Sequence, residues 1–472
     1  MSEWLKEHAW KACVRRKAYR GFESRPLRHA IPETPTCFGA PLNWLRGVGE
    51  INIKIGRDQK KAQPILKESD MKTKNYIAIE DKYGAHNYHP LDVVITKAKG
   101  IWAWDVDGKK YLDFLSAYSA VNQGHCHPRI VKALQNQAKN LTLTSRAFRN
   151  DQWPLLAKEL CQMTGFDMVL PMNSGAEAVE TAIKTARKWG YQKKGIAQDK
   201  AEIIACANNF HGRTIAVISF STEPLYRKDF GPFAPGFIVI PYGDAQALEK
   251  AITPNTAAFL VEPYQAEAGI LMPSPGYFRK AKEICEKSNV LFIADEIQTG
   301  LGRTGKLFAY EHEGFKPDMV IIGKSLGGGC YPISAVLSTN DILGVFKPGE
   351  HGSTFGGNPL ACAVARESLR VIKEEKLVKN AENQGKYFLK RLKALKSKHI
   401  KDVRGKGLLV GIELKPAAGG ARRFCEALKD AGLLCKETHE HVIRFAPPLI
   451  IQKEELDWAF ERIQKVFKDF ET

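Results

Sequence analysis

"DMVIIGKSLGGG", residues 318–329, is the stretch on which the reading of the fold turns. Met319 to Ile322 run without a polar interruption into Gly323-Lys324-Ser325, and three glycines follow. A Walker-type phosphate loop needs a glycine five positions before Gly323, and Asp318 stands there. That loop also carries its glycines ahead of the lysine, not behind it. A short run that is apolar throughout reads as a strand buried on both faces. A lysine directly after it lies at the strand's carboxyl end, where open α/β sheets carry their chemistry. "VLFIADE" (290–296) is a second such run, and it ends in Asp295. In a parallel sheet Lys324 and Asp295 would emerge at the same edge.

Outward from these two runs, strands and helices alternate. "MVLPMN" (168–173), "AEIIACANN" (201–209), "FIVIPYG" (237–243) and "TAAFLVEP" (256–263) read as further strands. "SGAEAVETAIKTARKWG" (174–190) and "GYFRKAKEICEKSN" (276–289) have helical spacing. The pattern predicts an α/β fold with a mostly parallel central sheet covered by helices. "GIWAWDVDGKKYLDFLSAYS" (100–119) turns at Asp107-Gly108, a strong hairpin signal. Residues 359–395, after Asn358, read as a long helical stretch. "VRGKGLLVGIEL" (403–414) and "HVIRFAPPLI" (441–450) read as strands of a smaller α+β domain.

With 472 residues, 44% of them hydrophobic, the chain can bury a large core in two or three domains. None of its ten cysteines forms a CxxC pair, which favours a reducing compartment. No apolar run approaches the ~18 residues of a membrane span, so no membrane partner is expected. The net charge is +18, and residues 1–70 carry 14 basic against 8 acidic side chains. A basic start suits a mitochondrial-matrix targeting segment, whereas Glu3, Glu7 and Glu23 suit a plain tail and a cytoplasmic protein. No homeodomain, zinc-finger or RRM signature accompanies the charge, so no nucleic-acid partner is expected. The surplus suits anionic substrates and a phosphate-bearing cofactor. His125 and His127 form an H-x-H pair without a third ligand at zinc spacing, so they read as loop-packing residues and no metal is expected.

A pyridoxal phosphate site needs a lysine for the Schiff base and an acid to keep the ring nitrogen protonated. Lys324 and Asp295 meet that requirement, and Gln298, one turn later, is placed to donate to the ring hydroxyl oxygen. Ser174-Gly175-Ala176 opens a helix whose Val179, Ile183 and Ala186 mark a buried face. The free amides and positive end of such a helix suit a phosphate, although Ser174 alone would read as an ordinary N-cap. Phe210 follows a strand and could stack on the cofactor ring; alone it would read as core.

"NSGAEA" (173–178), "NNFHGRT" (208–214), "VEPYQAEAG" (261–269), "FIADEIQTGLGRTG" (292–305), "IIGKSLGGG" (321–329) and "HGSTFGGNPLA" (351–361) together resemble the class III pyridoxal-phosphate aminotransferases. The likeness runs from about residue 75 to the C-terminus and departs at Ala266, where the class commonly has glycine. "YGAHNYHPL" (83–91) and "SAYSAVNQGHCHP" (116–128) are similar to the members that act on ornithine.

The resemblance implies a fold-type-I enzyme, a homodimer whose active sites lie at the interface, and pyridoxal 5'-phosphate as cofactor. It implies four stretches: an extension (1–75), the first part of a small domain (76–125), a large cofactor-binding domain (126–360) and a C-terminal small domain (361–472). Lys324 and Asp295 are then the catalytic residues. Ser174, Gly175, Ala176, Phe210, Glu262 and Gln298 bind the cofactor, with Ser353 and Thr354 supplied by the other subunit. Tyr88, Tyr118, Arg213, Glu267 and Arg444 bind substrate, Glu267 covering Arg444 while ornithine is present. The implied reaction moves the δ-amino group of L-ornithine to 2-oxoglutarate in two ping-pong half-reactions, giving glutamate 5-semialdehyde and glutamate. The competing readings are a transaminase of acetylornithine or 4-aminobutyrate and, in another class, a basic nucleic-acid-binding protein with a degenerate site.

Overall fold

A strand flanked on both faces by packed layers must be apolar at every position, and the centre of this molecule is built that way. In the computed structural model, which describes residues 70–471, seven strands form one sheet. They are β1 (Met168–Met172), β2 (Glu202–Cys206), β3 (Phe237–Ile240), β4 (Thr256–Val261), β5 (Leu291–Asp295), β6 (Met319–Ile322) and β7 (Ser334–Ser338). Their spatial order is β1-β7-β6-β5-β4-β2-β3. Neighbours from β6 to β3 pair in parallel, while β7 runs antiparallel to both β1 and β6. Every residue of β4, β5 and β6 is buried. Phe259, Val261, Phe292, Ala294, Val320 and Ile322 pack into one core on one face. Their alternates Ala258, Leu260, Leu291, Ile293, Met319 and Ile321 pack into a second core on the other. At about 1.5–3 kcal/mol for each fully buried large side chain, this double burial fixes the register of the strands that end in Asp295 and Lys324.

The helix Gly175–Trp189 covers the second face through Val179, Ile183 and Ala186, as predicted, joined by Ala178, Ala182 and Trp189. The predicted hairpin pairs Trp102–Asp105 with Lys110–Asp113. Asp105 Oδ1 accepts the N–H groups of Asp107 at 3.0 Å and Lys109 at 2.8 Å, which fixes the turn. Strand Lys110–Asp113 also pairs in parallel with Leu433–Leu434, so the first described segment shares a sheet with the C-terminal part of the chain. A second small sheet is formed by Ile400–Lys406, Leu409–Leu414, Val442–Phe445 and Lys436–Thr438.

Three elements differ from the sequence reading. β7 was not anticipated. The long helical stretch is two helices, Pro359–Glu374 and Leu377–Ala394, broken where Lys376 takes φ +54°. "VRGKGLLVGIEL" belongs to two strands that turn at Gly407, whose φ is +56° and where a Cβ would run into the Thr304 backbone. That close approach is part of a junction centred on Arg303, which is 0% exposed. Its Nη1 donates to the carbonyls of Leu408 at 2.9 Å and Pro447 at 2.6 Å, and its Nη2 donates to Asn122 Oδ1. Burial among neutral acceptors lowers its pKa to about 9. The segment after β5 is thereby tied to the smaller sheets. The expectation about a basic targeting extension concerns residues that lie, up to residue 69, outside those described.

Candidate active site

The carboxyl edge of the central sheet holds a cavity of about 210 Å³. Lys324 and Asp295 line it with Gly175, Ala176, Phe210, Glu262 and Gln298. Seven of the residues expected from the sequence are thus gathered around one volume. Lys324 follows β6 in a single 3-10 turn, Lys324–Gly327, and its φ is +41°. Burial lowers its pKa to about 8, against the opposing pull of Glu267, Asp295 and Glu262. A lysine of that pKa is in large part a neutral amine near pH 8, which is the nucleophilic form.

Asp295 is buried at the end of β5. Its Oδ1 accepts the Ile297 N–H at 3.1 Å, and its Oδ2 lies 2.7 Å from His211 Nδ1. The other ring nitrogen of the buried His211 has no partner among the described residues. Glu262 accepts the Phe210 N–H at 2.8 Å. Burial first, and the nearby Asp295 second, push its carboxyl well above the usual range. Between Phe210 and Arg213, Gly212 takes φ +123°, and a Cβ there would stand 3.0 Å from that of Ala176. Only glycine lets this loop press so closely on the start of the helix.

That start is a capping box. Ser174 Oγ accepts the Glu177 N–H at 3.3 Å, and the Ser174 N–H donates to Glu177 Oε2 at 2.7 Å. Ser174 is therefore engaged, while the N–H groups of Gly175 and Ala176 meet no acceptor among the described residues. Ser353 Oγ accepts from Asn173 Nδ2 of the same chain at 2.7 Å, and Thr354 is exposed.

A second cluster adjoins the cavity. Arg444, 1% exposed on strand Val442–Phe445, donates from Nη1 to Glu267 Oε1 at 2.7 Å and to Gln298 Oε1 at 3.4 Å. Gln298 Nε2 donates to Glu267 Oε1 at 3.2 Å, so its amide is turned toward this pair. Burial alone would raise the Glu267 pKa, but Arg444 and then Lys324 outweigh it and hold the group ionised. The Arg444 guanidinium stands 4.7 Å from the Tyr118 ring centre. Tyr118 reaches it from Ser116–Ser119, four residues in succession with positive φ. Arg213 and Tyr88 are exposed, with the guanidinium 5.8 Å from the Tyr88 ring centre. Arg213 makes no hydrogen bond or ion pair among the described residues.

His211, Tyr264 and Thr299 also line the cavity and were not picked out from the sequence. "NNFHGRT" offered the only signal for His211, a histidine beside the candidate stacking ring. His125 Nε2 lies 2.7 Å from Asp113 Oδ2 and His127 Nε2 lies 3.0 Å from Glu375 Oε1, so each histidine has its own carboxylate. Ala266 is buried against Ile270, Leu409 and Ala446, which accommodate its methyl group.

The donor set fits pyridoxal phosphate: a desolvated lysine, a buried acid steadied by a histidine, and two unengaged amides at a helix start. Fold and site together define a pyridoxal-phosphate-dependent aminotransferase. The family model described as "Aminotransferase class-III" matches residues 83–467. The ornithine aminotransferase of Geobacillus sp. (strain WCH70) is 59% identical over 396 residues, spanning 84% of this chain and 99% of that protein. The solved ornithine aminotransferase of Toxoplasma gondii, described with partial occupancy of PLP at its active site, superposes with a TM-score of 0.84. It is 49% identical over 85% of this chain and 95% of that one. An acetylornithine aminotransferase from Elizabethkingia anophelis gives a TM-score of 0.77 at 51% identity, over 84% and 99% of the two chains. This chain belongs to the class III aminotransferases.

Proposed function

We propose that the chain transfers the δ-amino group of L-ornithine to 2-oxoglutarate, releasing glutamate 5-semialdehyde and glutamate. The observation that carries this reading is the unequal state of two arginines. Arg444 is buried and covered by Glu267, while Arg213 is exposed and uncovered. Such a site accepts a substrate with one carboxylate far from the reacting amine, and then one with a second carboxylate beside the reacting carbon. Arg213 takes the distal carboxylate of either substrate as a planar fork, with Tyr88 at the ornithine α-amino group. Glu267 masks Arg444 against ornithine and releases it to the 2-oxoglutarate α-carboxylate, so Arg444 is never left buried and unpaired. Tyr118 holds the Arg444 guanidinium in place from its ring face.

The bound cofactor supplies an electron sink for the carbon that carries the amine. Asp295, oriented by His211, would hold the proton on the ring nitrogen, and Phe210, whose N–H Glu262 accepts, would cover the ring. Gln298 serves the ring hydroxyl oxygen as well as the Glu267–Arg444 pair. Gly175 and Ala176 bind the phosphate through their amides, with Ser174 shaping the turn. Lys324 Nζ, desolvated in the cavity, would take the proton from the δ-carbon.

Ser353 and Thr354 complete a phosphate site across a homodimer in this reading. Phe148 and Phe355, 74% and 47% exposed, support an interface there. Their two segments are joined by the hydrogen bond from Asn150 Nδ2 to Gly357 O at 3.1 Å. Apolar side chains so placed call for a covering surface, and an isologous copy supplies it. Fusing residues 1–75 to a fluorescent reporter separates import into the mitochondrial matrix from retention in the cytoplasm.

The test is to incubate purified protein with ornithine and 2-oxoglutarate, measuring glutamate and the cyclised semialdehyde as a trapped adduct. Acetylornithine and 4-aminobutyrate are assayed beside it, since a 51% identical structure carries the acetylornithine name. Ornithine is expected to give the highest kcat/KM. Faster turnover of either alternative overturns the substrate assignment.

A further inference from the structure

Among the described residues, the Arg213 guanidinium is held by ring faces alone. It lies 4.6 Å from the Tyr226 ring centre, against 5.8 Å for Tyr88 and 6.0 Å for Phe210. With no hydrogen bond from Arg213 among the described residues, all five of its donors are available to a ligand. Tyr226 makes the closest of the three contacts, and the chain fixes it from both sides. It belongs to the single turn Pro224–Arg227, which Glu223 caps by accepting the Leu225 N–H at 3.2 Å. The next residue, Arg227, donates from Nη1 to the carbonyls of Ser219 at 2.6 Å and of Ile218 and Ser221 at 3.2 Å. The Tyr226 ring also meets Phe210 edge to face, at 5.9 Å and 69°. A small cavity of about 40 Å³ separates Tyr226 and Phe210 from Glu267. One wall of this space, formed by Tyr226 and Phe210, is thus aromatic and anchored, while Glu223 beside it is engaged with the Leu225 N–H.

We propose that Tyr226 is a positioning residue for Arg213: its ring aims the guanidinium at the carboxylate remote from the reacting carbon, and so selects substrates that carry one. The proposal rests on the substrate reading above. A cation over a ring face is held without using any N–H group, whereas a carboxylate partner would occupy the fork that must grip substrate. The arrangement therefore orients Arg213 and leaves its charge unspent.

The test uses the cofactor-loaded protein and glutarate, a dicarboxylate with no keto group that binds without reacting. Calorimetry gives its Kd for the parent, Tyr226→Leu, Tyr226→Phe and Arg213→Leu. Tyr226→Leu is expected to weaken glutarate about 2- to 5-fold, the range an exposed cation–π contact supports. KM for ornithine should rise in the same proportion, with kcat within about twofold and the cofactor absorbance spectrum unchanged. Tyr226→Phe, which keeps the ring face, should restore most of the loss. If Tyr226→Leu binds glutarate like the parent while Arg213→Leu does not, the positioning role is overturned and the substrate reading stands. If Arg213→Leu also binds like the parent, the substrate reading itself fails. A Tyr226→Phe protein as impaired as Tyr226→Leu overturns the ring-face argument, as does a fall in kcat with KM unmoved.

Discussion

Substituting Glu267 by glutamine keeps the shape of the side chain and removes its charge. In the parent, an incoming dicarboxylate must first separate Glu267 from Arg444, whose contact is 2.7 Å and whose guanidinium is 1% exposed. Two unit charges about 4 Å apart at an effective dielectric near 20 attract by about 4 kcal/mol. Part of that is recovered when the released carboxylate meets water, and Gln298 still serves Arg444. A net saving of about 1.4–2.8 kcal/mol remains, which is ten- to a hundredfold in kcat/KM. Glu267→Gln should therefore speed the half-reaction with glutamate by that factor and slow the one with ornithine, because Arg444 is no longer masked. Stopped-flow absorbance of the bound cofactor follows each half-reaction separately. If both fall together, Glu267 is not a mask and the switch is wrong.

Further expectations concern other parts of the molecule. In cofactor-free protein Lys324 titrates at about 8 instead of 10.5, so the unfolded chain holds that proton more tightly. Folding stability from this group then rises with pH between about 8 and 10.5, and is at its lowest below 8. The rate of pyridoxal phosphate uptake by the apo-protein should likewise rise to a plateau with a midpoint near 8. A midpoint at the free-lysine value would refute the desolvation argument. Arg303→Met should cost about 3 kcal/mol in a urea melt, since three buried acceptors lose their donor at ~1–3 kcal/mol each and the relief of a buried charge offsets part. An unchanged midpoint would mean that the junction does not hold the sheets. Phe148→Glu and Phe355→Glu, made together, should yield monomers by analytical ultracentrifugation with little transaminase activity. A double variant that still sediments as a dimer places the interface elsewhere.

The parallel strands were legible because burial on two faces removes every polar residue from them, and Asp295 and Lys324 stand out where that rule stops. β7 escaped notice because it is a five-residue run with serine at both ends, preceded by glycines and proline that read as loop. The break at Glu375-Lys376 escaped because both flanks are good helix formers and no proline or glycine marks it. Within the site, residues that end a strand or open a helix announced themselves through position. His211 and Tyr226 matter through what they touch across the fold, and spacing along the chain carries no trace of a ring nitrogen 2.7 Å from a carboxylate.

β6 and β7 are joined by residues 323–333, a link that doubles back at one edge of the sheet with no helix longer than one turn. Its parallel neighbours return through crossovers long enough to absorb an extra residue in an outer loop. Here an insertion has nowhere to go: it would shift the amine of Lys324 along the edge or break the pairing of Ala335 with Ile322. Length variants should therefore be tolerated in the outer crossovers of this enzyme and rejected between Gly323 and Ile333, even where the inserted residue is glycine.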